Sequence, residues 1–143
     1  MTTAEIKAKL MRTRMAERDY RLARDKANAY RQLIACGKAV RYGSDGSTHE
    51  RKGNPVENAY CCLADYSAEE ERLLQELISV RHRAEKLIAS VPDQAQREVL
   101  TRRYIIGQRW EDIAVCMNYS LRRIYQLHGY ALQNIALNCT IYL

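Results

Sequence analysis

The sequence predicts an all-α protein: a long helical hairpin or coiled coil followed by a C-terminal helix-turn-helix domain. Three observations predict it. Residues 4 to 35 contain neither Gly nor Pro and are rich in Ala, Arg, Lys, Met and Leu, the strong helix formers. Residues 73 to 91 repeat apolar side chains at alternating steps of four and three, the rhythm of a helical packing stripe. Residues 110 to 127 put small and apolar residues where two helices crossing at a wide angle must touch: Ile113, Ala114 and Met117 on the first, Tyr119 in the turn, Ile124 and Leu127 on the second.

In the first helix, Ala16, Tyr20, Ala23, Ala27, Tyr30 and Ile34 form a seam in which half of the side chains are alanines. So thin a stripe needs a partner, because propensity alone barely holds a helix in water. From Cys36 to Pro55 the chain holds four of its six glycines (Gly37, Gly43, Gly46, Gly53), which reads as a flexible linker. Cys36-Gly37-Lys38 is no phosphate loop, since the further glycine and the Ser/Thr after Lys are missing. A second helix is expected from Glu57 or Ser67 to Ser90, with Ser67 and Glu70 spaced as a capping box and Glu69, Glu70 and Glu71 suited to its N-terminal dipole. Its stripe is Leu73, Leu77, Val80, Ala84, Leu87 and Val91, widened by Leu74, Ile78 and Ile88.

Pro92 ends that helix and Asp93 caps the next, in which Ala95, Val99, Leu100, Tyr104 and Ile105 share a face up to a stop at Gly107. The last two helices are expected over about Trp110 to Met117 and Ser120 to Leu137, with Asn118 in the left-handed turn conformation. The expected organisation is a basic N-terminal helix over residues 1–35, a Gly-rich linker over 36–56, an amphipathic helix over 57–91 packing on the first helix or on a second chain, and a helix-turn-helix domain over 92–143.

Charge and composition narrow the function. The net charge of +6 is uneven: residues 1 to 41 hold eleven Lys/Arg against four Asp/Glu, residues 42 to 92 hold six against nine, and residues 93 to 143 hold six against four. A basic arm remote in sequence from the last helix pair suits a second phosphate contact as well as it suits a solvated face. The five cysteines form no CxxC pair and lack a His at zinc-ligand spacing, so free thiols are expected, with Cys116 in the core. No metal site, cofactor or catalytic constellation is read: Ser/His/Asp, Cys/His, paired-carboxylate and Gly-rich phosphate patterns are all missing, and an enzyme is not expected. With no apolar run of about 18 residues and no signal-peptide core, a soluble, cytoplasmic protein that does not engage membranes is expected.

The polar residues left over at the last helix pair, Ser120, Arg122, Arg123 and Gln126, fall on the outward side of the second helix. Arg and Gln make paired hydrogen bonds to guanine and adenine edges, so this face is chemically suited to the major groove of double-stranded DNA. Tyr125 and Tyr130 are either contacts or surface aromatics, and Trp110 reads as a core anchor.

The pattern Val99-Leu100-x-x-Arg103-Tyr104-x-x-Gly107-x-x-Trp110-x-x-Ile113-Ala114-x-x-Met117, then Tyr119-Ser120-x-Arg122-Arg123-Ile124-Tyr125-x-Leu127-His128 and Ala131-Leu132, resembles the promoter-reading fourth region of sigma factors. It resembles more strongly the sigma-like proteins of phages and prophages, the ArpU-type late transcriptional regulators. The resemblance implies a sequence-specific regulator in the bacterial nucleoid whose second motif helix enters the major groove. By position, Ser120, Leu121, Arg122, Tyr125 and Gln126 would face bases, and Arg109 and Arg123 would grip phosphates, with His128 a further phosphate contact or a partly exposed helix residue. Sigma factors usually carry a polar or basic residue where Leu121 stands and an acidic one where Arg122 stands, so the site read should differ from a housekeeping promoter element. Leu121 suits a thymine methyl group. No segment resembles the helix with which sigma factors open DNA, so activation would need a partner, RNA polymerase itself being the first choice. Two alternatives stay open: a small-terminase-like subunit that recognises DNA for packaging, and an adaptor that binds RNA polymerase and not DNA. A homodimer through the long helices fits any of them.

Overall fold

The computed structural model describes residues 1–36 and 55–141, side chains through residue 139, so the expected linker over 36–56 lies almost wholly outside the described residues. Within them the chain is all-helical: α1 (Thr3–Ala35), α2 (Pro55–Ala89), α3 (Gln94–Leu100) continued by a π-helical turn (Thr101–Ile106), α4 (Trp110–Met117) and α5 (Leu121–Ile141). Among the described residues no helix is long and apolar enough to cross a membrane. The chain divides into two compact units, residues 1–17 with 76–143 and residues 18–75.

In the smaller unit Ala23, Ala27 and Ala59 are buried, and the Tyr30 and Tyr66 rings lie 5.1 Å apart. One expectation for α2 needs correction. The helix begins at Pro55, close to the earlier of the two expected starts, where a missing N–H costs nothing in the first turn, so Ser67 and Glu70 sit well inside it and form no capping box. Instead both accept hydrogen bonds from Arg31 Nη2, at 3.2 Å and 3.1 Å.

In the larger unit the first turns of α1 carry buried side chains outside the expected seam. Ile6, Leu10 and Thr13 are fully buried, and Ile6 and Leu10 join Ala84, Ile88, Val91, Leu100, Tyr104, Ala131, Leu132 and Ile135 in one core. Thr2 and Glu5 cap α1 reciprocally: Glu5 N donates to Thr2 Oγ1 (3.2 Å) and Thr2 N to Glu5 Oε2 (2.9 Å), which holds the Glu5 carboxyl below its ordinary pKa. Of the α2 stripe, Leu77, Val80, Ala84, Ile88 and Val91 are buried, whereas Ile78 is exposed.

The corner at Pro92 forms as expected. Asp93 is extended and its Oδ1 accepts from Ala95 N at 3.3 Å, while Arg97 Nη1 reaches back to the Val91 and Pro92 carbonyls at 2.6 and 2.9 Å. Sequence reasoning expected one regular helix up to Gly107; the structure widens its last turn into a π-helix that ends on Gly107 at φ 87°. The Gly107 and Gln108 amides both donate to the Arg102 carbonyl, at 3.1 and 2.9 Å. A second core, Val99, Ile113, Ile124 and Leu127 with Trp110, Ala114 and Met117 at its edge, fastens α4 and α5 to α3.

Candidate nucleic-acid interface

The turn between α4 and α5 is set by local chemistry. Asn118 adopts φ 55°, a left-handed conformation whose cost is small for a short polar side chain, and its amide and that of Tyr119 return to the Val115 and Ala114 carbonyls at 3.2 and 3.0 Å. Ser120 Oγ then accepts from the Arg123 amide at 3.2 Å and caps α5. This spends the Ser120 hydroxyl on the backbone, a role the sequence reading did not assign, although the residue stays exposed.

From that cap the first turns of α5 project outward. Ile124 and Leu127 are buried, so helical periodicity turns Arg122 and Gln126 to the opposite side, where both are exposed. Leu121 is 37% exposed and Tyr125 47%, the latter with its ring 5.2 Å from Trp110. Arg123 is exposed as well. Neither Arg122 nor Arg123 is in an ion pair with a described carboxylate, and the first turn of α5 contains no acidic residue. Helix N-termini favour negative charge, so two arginines there oppose the dipole and concentrate positive potential at one end of an exposed face. By contrast α4 follows the usual preference, with Glu111 and Asp112 in its first turn.

Two of the three residues read as phosphate contacts are accessible. Arg109 is exposed but already bonded to Asp112 at 3.2 Å, which raises its pKa and offsets its charge locally. His128 requires correction: it is 9% exposed, with Nε2 2.9 Å from Tyr104 Oη and its ring edge-on to Trp110 at 5.0 Å. It lies on the same side of α5 as Ile124, Leu127 and Ala131, and so it points into the protein and not toward a phosphate. Burial first, then the positive charges of Lys7 and Arg103, lower its pKa to about 4. Two further expectations change: Tyr119 is 44% exposed and not packed in the turn, and Cys116 is exposed and not in the core.

The structure also brings in residues that sequence reasoning did not assign to this face. Arg103 lies over the Trp110 ring at 4.5 Å and donates to the Gln108 carbonyl at 3.0 Å; burial and the charge of Arg14 lower its pKa. Lys7 and Arg14, seven residues apart and therefore on one edge of α1, are the cations whose fields reach His128, Tyr104 and Arg103. The basic arm that looked remote in sequence thus delivers two charges beside the support of α5. The signal was there in the i, i+7 spacing, but nothing in the sequence said which edge of α1 faced which neighbour.

Among the described residues no three His, Cys, Asp or Glu side chains converge as metal ligands. Comparisons of the chain with protein-family models, curated proteins and solved structures found no match.

Proposed function

We propose that this protein is a sequence-specific DNA-binding regulator of phage or prophage type, its last helix pair acting as a helix-turn-helix that reads the major groove with the first turns of α5. The observation that carries this reading is the exposed N-terminal face of α5, where Arg122 and Gln126 point outward together and two arginines stand in no ion pair with a described carboxylate. Local electrostatics that work against the helix are expected where function outweighs stability. Arg122 and Gln126 are the base-reading residues, Leu121 and Tyr125 add apolar contact, and Ser120 sets the entry of the helix as well as lying beside the bases. Arg123 grips phosphate, Arg109 more weakly because Asp112 shares its charge, and His128 has no contact role.

The resemblance to sigma factor region 4 and to ArpU-type regulators supports the same reading from the sequence side, with RNA polymerase as the partner through which a bound protein would act. The test is selection of duplexes from a random pool, followed by a salt titration of the best binder. Each phosphate neutralised contributes about −0.9 to the slope of log affinity against log salt, so Arg123 and Arg109 alone give a slope of about −2. A slope near zero, or no enrichment, would leave the adaptor reading in its place; enrichment by a ring of many copies would favour the packaging subunit.

A further inference from the structure

Away from the α5 face, the larger unit carries an open-sided trench of about 700 Å³ between the start of α1, the end of α2 and the end of α5. Its floor is apolar: Val80, Ala84 and Leu87 lie four and three residues apart on one face of α2, and Cys139 of α5 adjoins them. Four cations line it, Lys9 and Arg12 from α1 and Arg83 and Lys86 from α2, all exposed. None is in an ion pair with a described carboxylate. Among the described residues Lys9 Nζ bonds to Met1 Sδ, at 3.0 Å, and Arg83 to the Ser79 carbonyl and hydroxyl, at 3.3 and 3.2 Å; all are neutral acceptors. At the far end Asn138 Nδ2 donates to the Ser90 carbonyl at 2.7 Å, so the polar groups there are already satisfied.

Four like charges around the trench repel one another, and the half-buried Leu87 and Cys139, with Val80 and Ala84 nearly covered, leave hydrocarbon in water. One kind of molecule answers both: an anionic head for the cations and a hydrocarbon chain for the floor. We propose that this trench binds a long-chain carboxylate, the head group among Lys9, Arg12, Arg83 and Lys86 and the chain along Leu87 and Cys139. Its volume falls within the roughly 300–1,000 Å³ of small-molecule sites. The proposal is independent of the DNA-binding reading, since no residue of the α5 face takes part.

The experiment is a calorimetric titration of the full chain with octanoate, decanoate and dodecanoate, each below its micellar concentration, with decanol as the uncharged control. One molecule binds per chain, and each added methylene tightens binding about three- to fourfold. Decanol binds more weakly than decanoate. Arg12→Gln with Lys86→Gln, two exposed positions, leaves the melting curve unchanged and weakens dodecanoate about three- to tenfold. Absence of binding, several molecules per chain, an affinity indifferent to chain length, or an affinity untouched by the double substitution would each overturn the proposal.

Discussion

His128 shows how much one residue's surroundings decide. The Tyr104 hydroxyl, the Trp110 edge and the fields of Lys7 and Arg103 surround an imidazole that burial keeps neutral, with a pKa of about 4 against an ordinary 6.5. The folded protein therefore binds fewer protons here than the unfolded chain between those values. The stability that neutral His128 provides is complete above pH 6.5 and is lost as the pH falls toward 4. Melting temperatures measured across that range are expected to fall for the native protein, and the stability gap between it and His128→Gln should narrow as the pH drops. A gap independent of pH would place the imidazole in water. The four-residue step from Ile124 and the three-residue step to Ala131 put His128 on the inward side of the helix, but the sequence did not show the partner that meets it there, Tyr104, 24 residues earlier.

Among the elements, two glycines in the last third of the chain have opposite meanings. Gly107 ends the π-helical turn at φ 87°, a conformation that L side chains rarely adopt, so Gly107→Ala is expected to destabilise by about 1–2 kcal/mol. Gly129 lies inside α5 with open space where a Cβ would stand, so Gly129→Ala should stabilise by about 0.5–1 kcal/mol. Denaturant unfolding of the two variants checks both signs. The Gly107 stop, the Asp93 cap and the Asn118 turn were legible because each is a local device whose residues do the same work in any context. The capping box in α2 was misleading: Ser67 and Glu70 have its spacing, but Pro55 starts the helix near the earlier expected position and Arg31 takes both side chains. The π-helical widening after Leu100 also lacks a signal in the spacing of apolar residues. At the candidate interface, the outward placement of Arg122 and Gln126 followed from the 3.6-residue period, whereas the contributions of Lys7, Arg14 and Arg103 required tertiary packing.

At the scale of the whole molecule, the first turns of the chain and the last helix share one core. Leu10 and Ile6 pack with Leu100, Tyr104, Leu132 and Ile135, partners some ninety or more residues away in sequence. Leu10→Ala is accordingly expected to cost about 2–5 kcal/mol and to lower the melting of the entire larger unit, as followed by amide exchange at Tyr104 and Leu132. If the start of α1 were only a solvated basic arm, that substitution would change little. The same packing fixes where the basic charge of α1 lies, with Lys7 and Arg14 toward the support of α5 and Lys9 and Arg12 toward the trench.

The most direct test of the central claim is base-by-base discrimination by α5. Binding of Arg122→Ala and Gln126→Ala should be measured on the selected duplex and on its single-base variants. The account predicts a loss of about 1–3 kcal/mol for each on the selected duplex, with relaxed preference at one or two base pairs, while Lys7→Ala weakens all duplexes alike. Unchanged base preference in both α5 variants, with preference altered by Lys7→Ala, would contradict it.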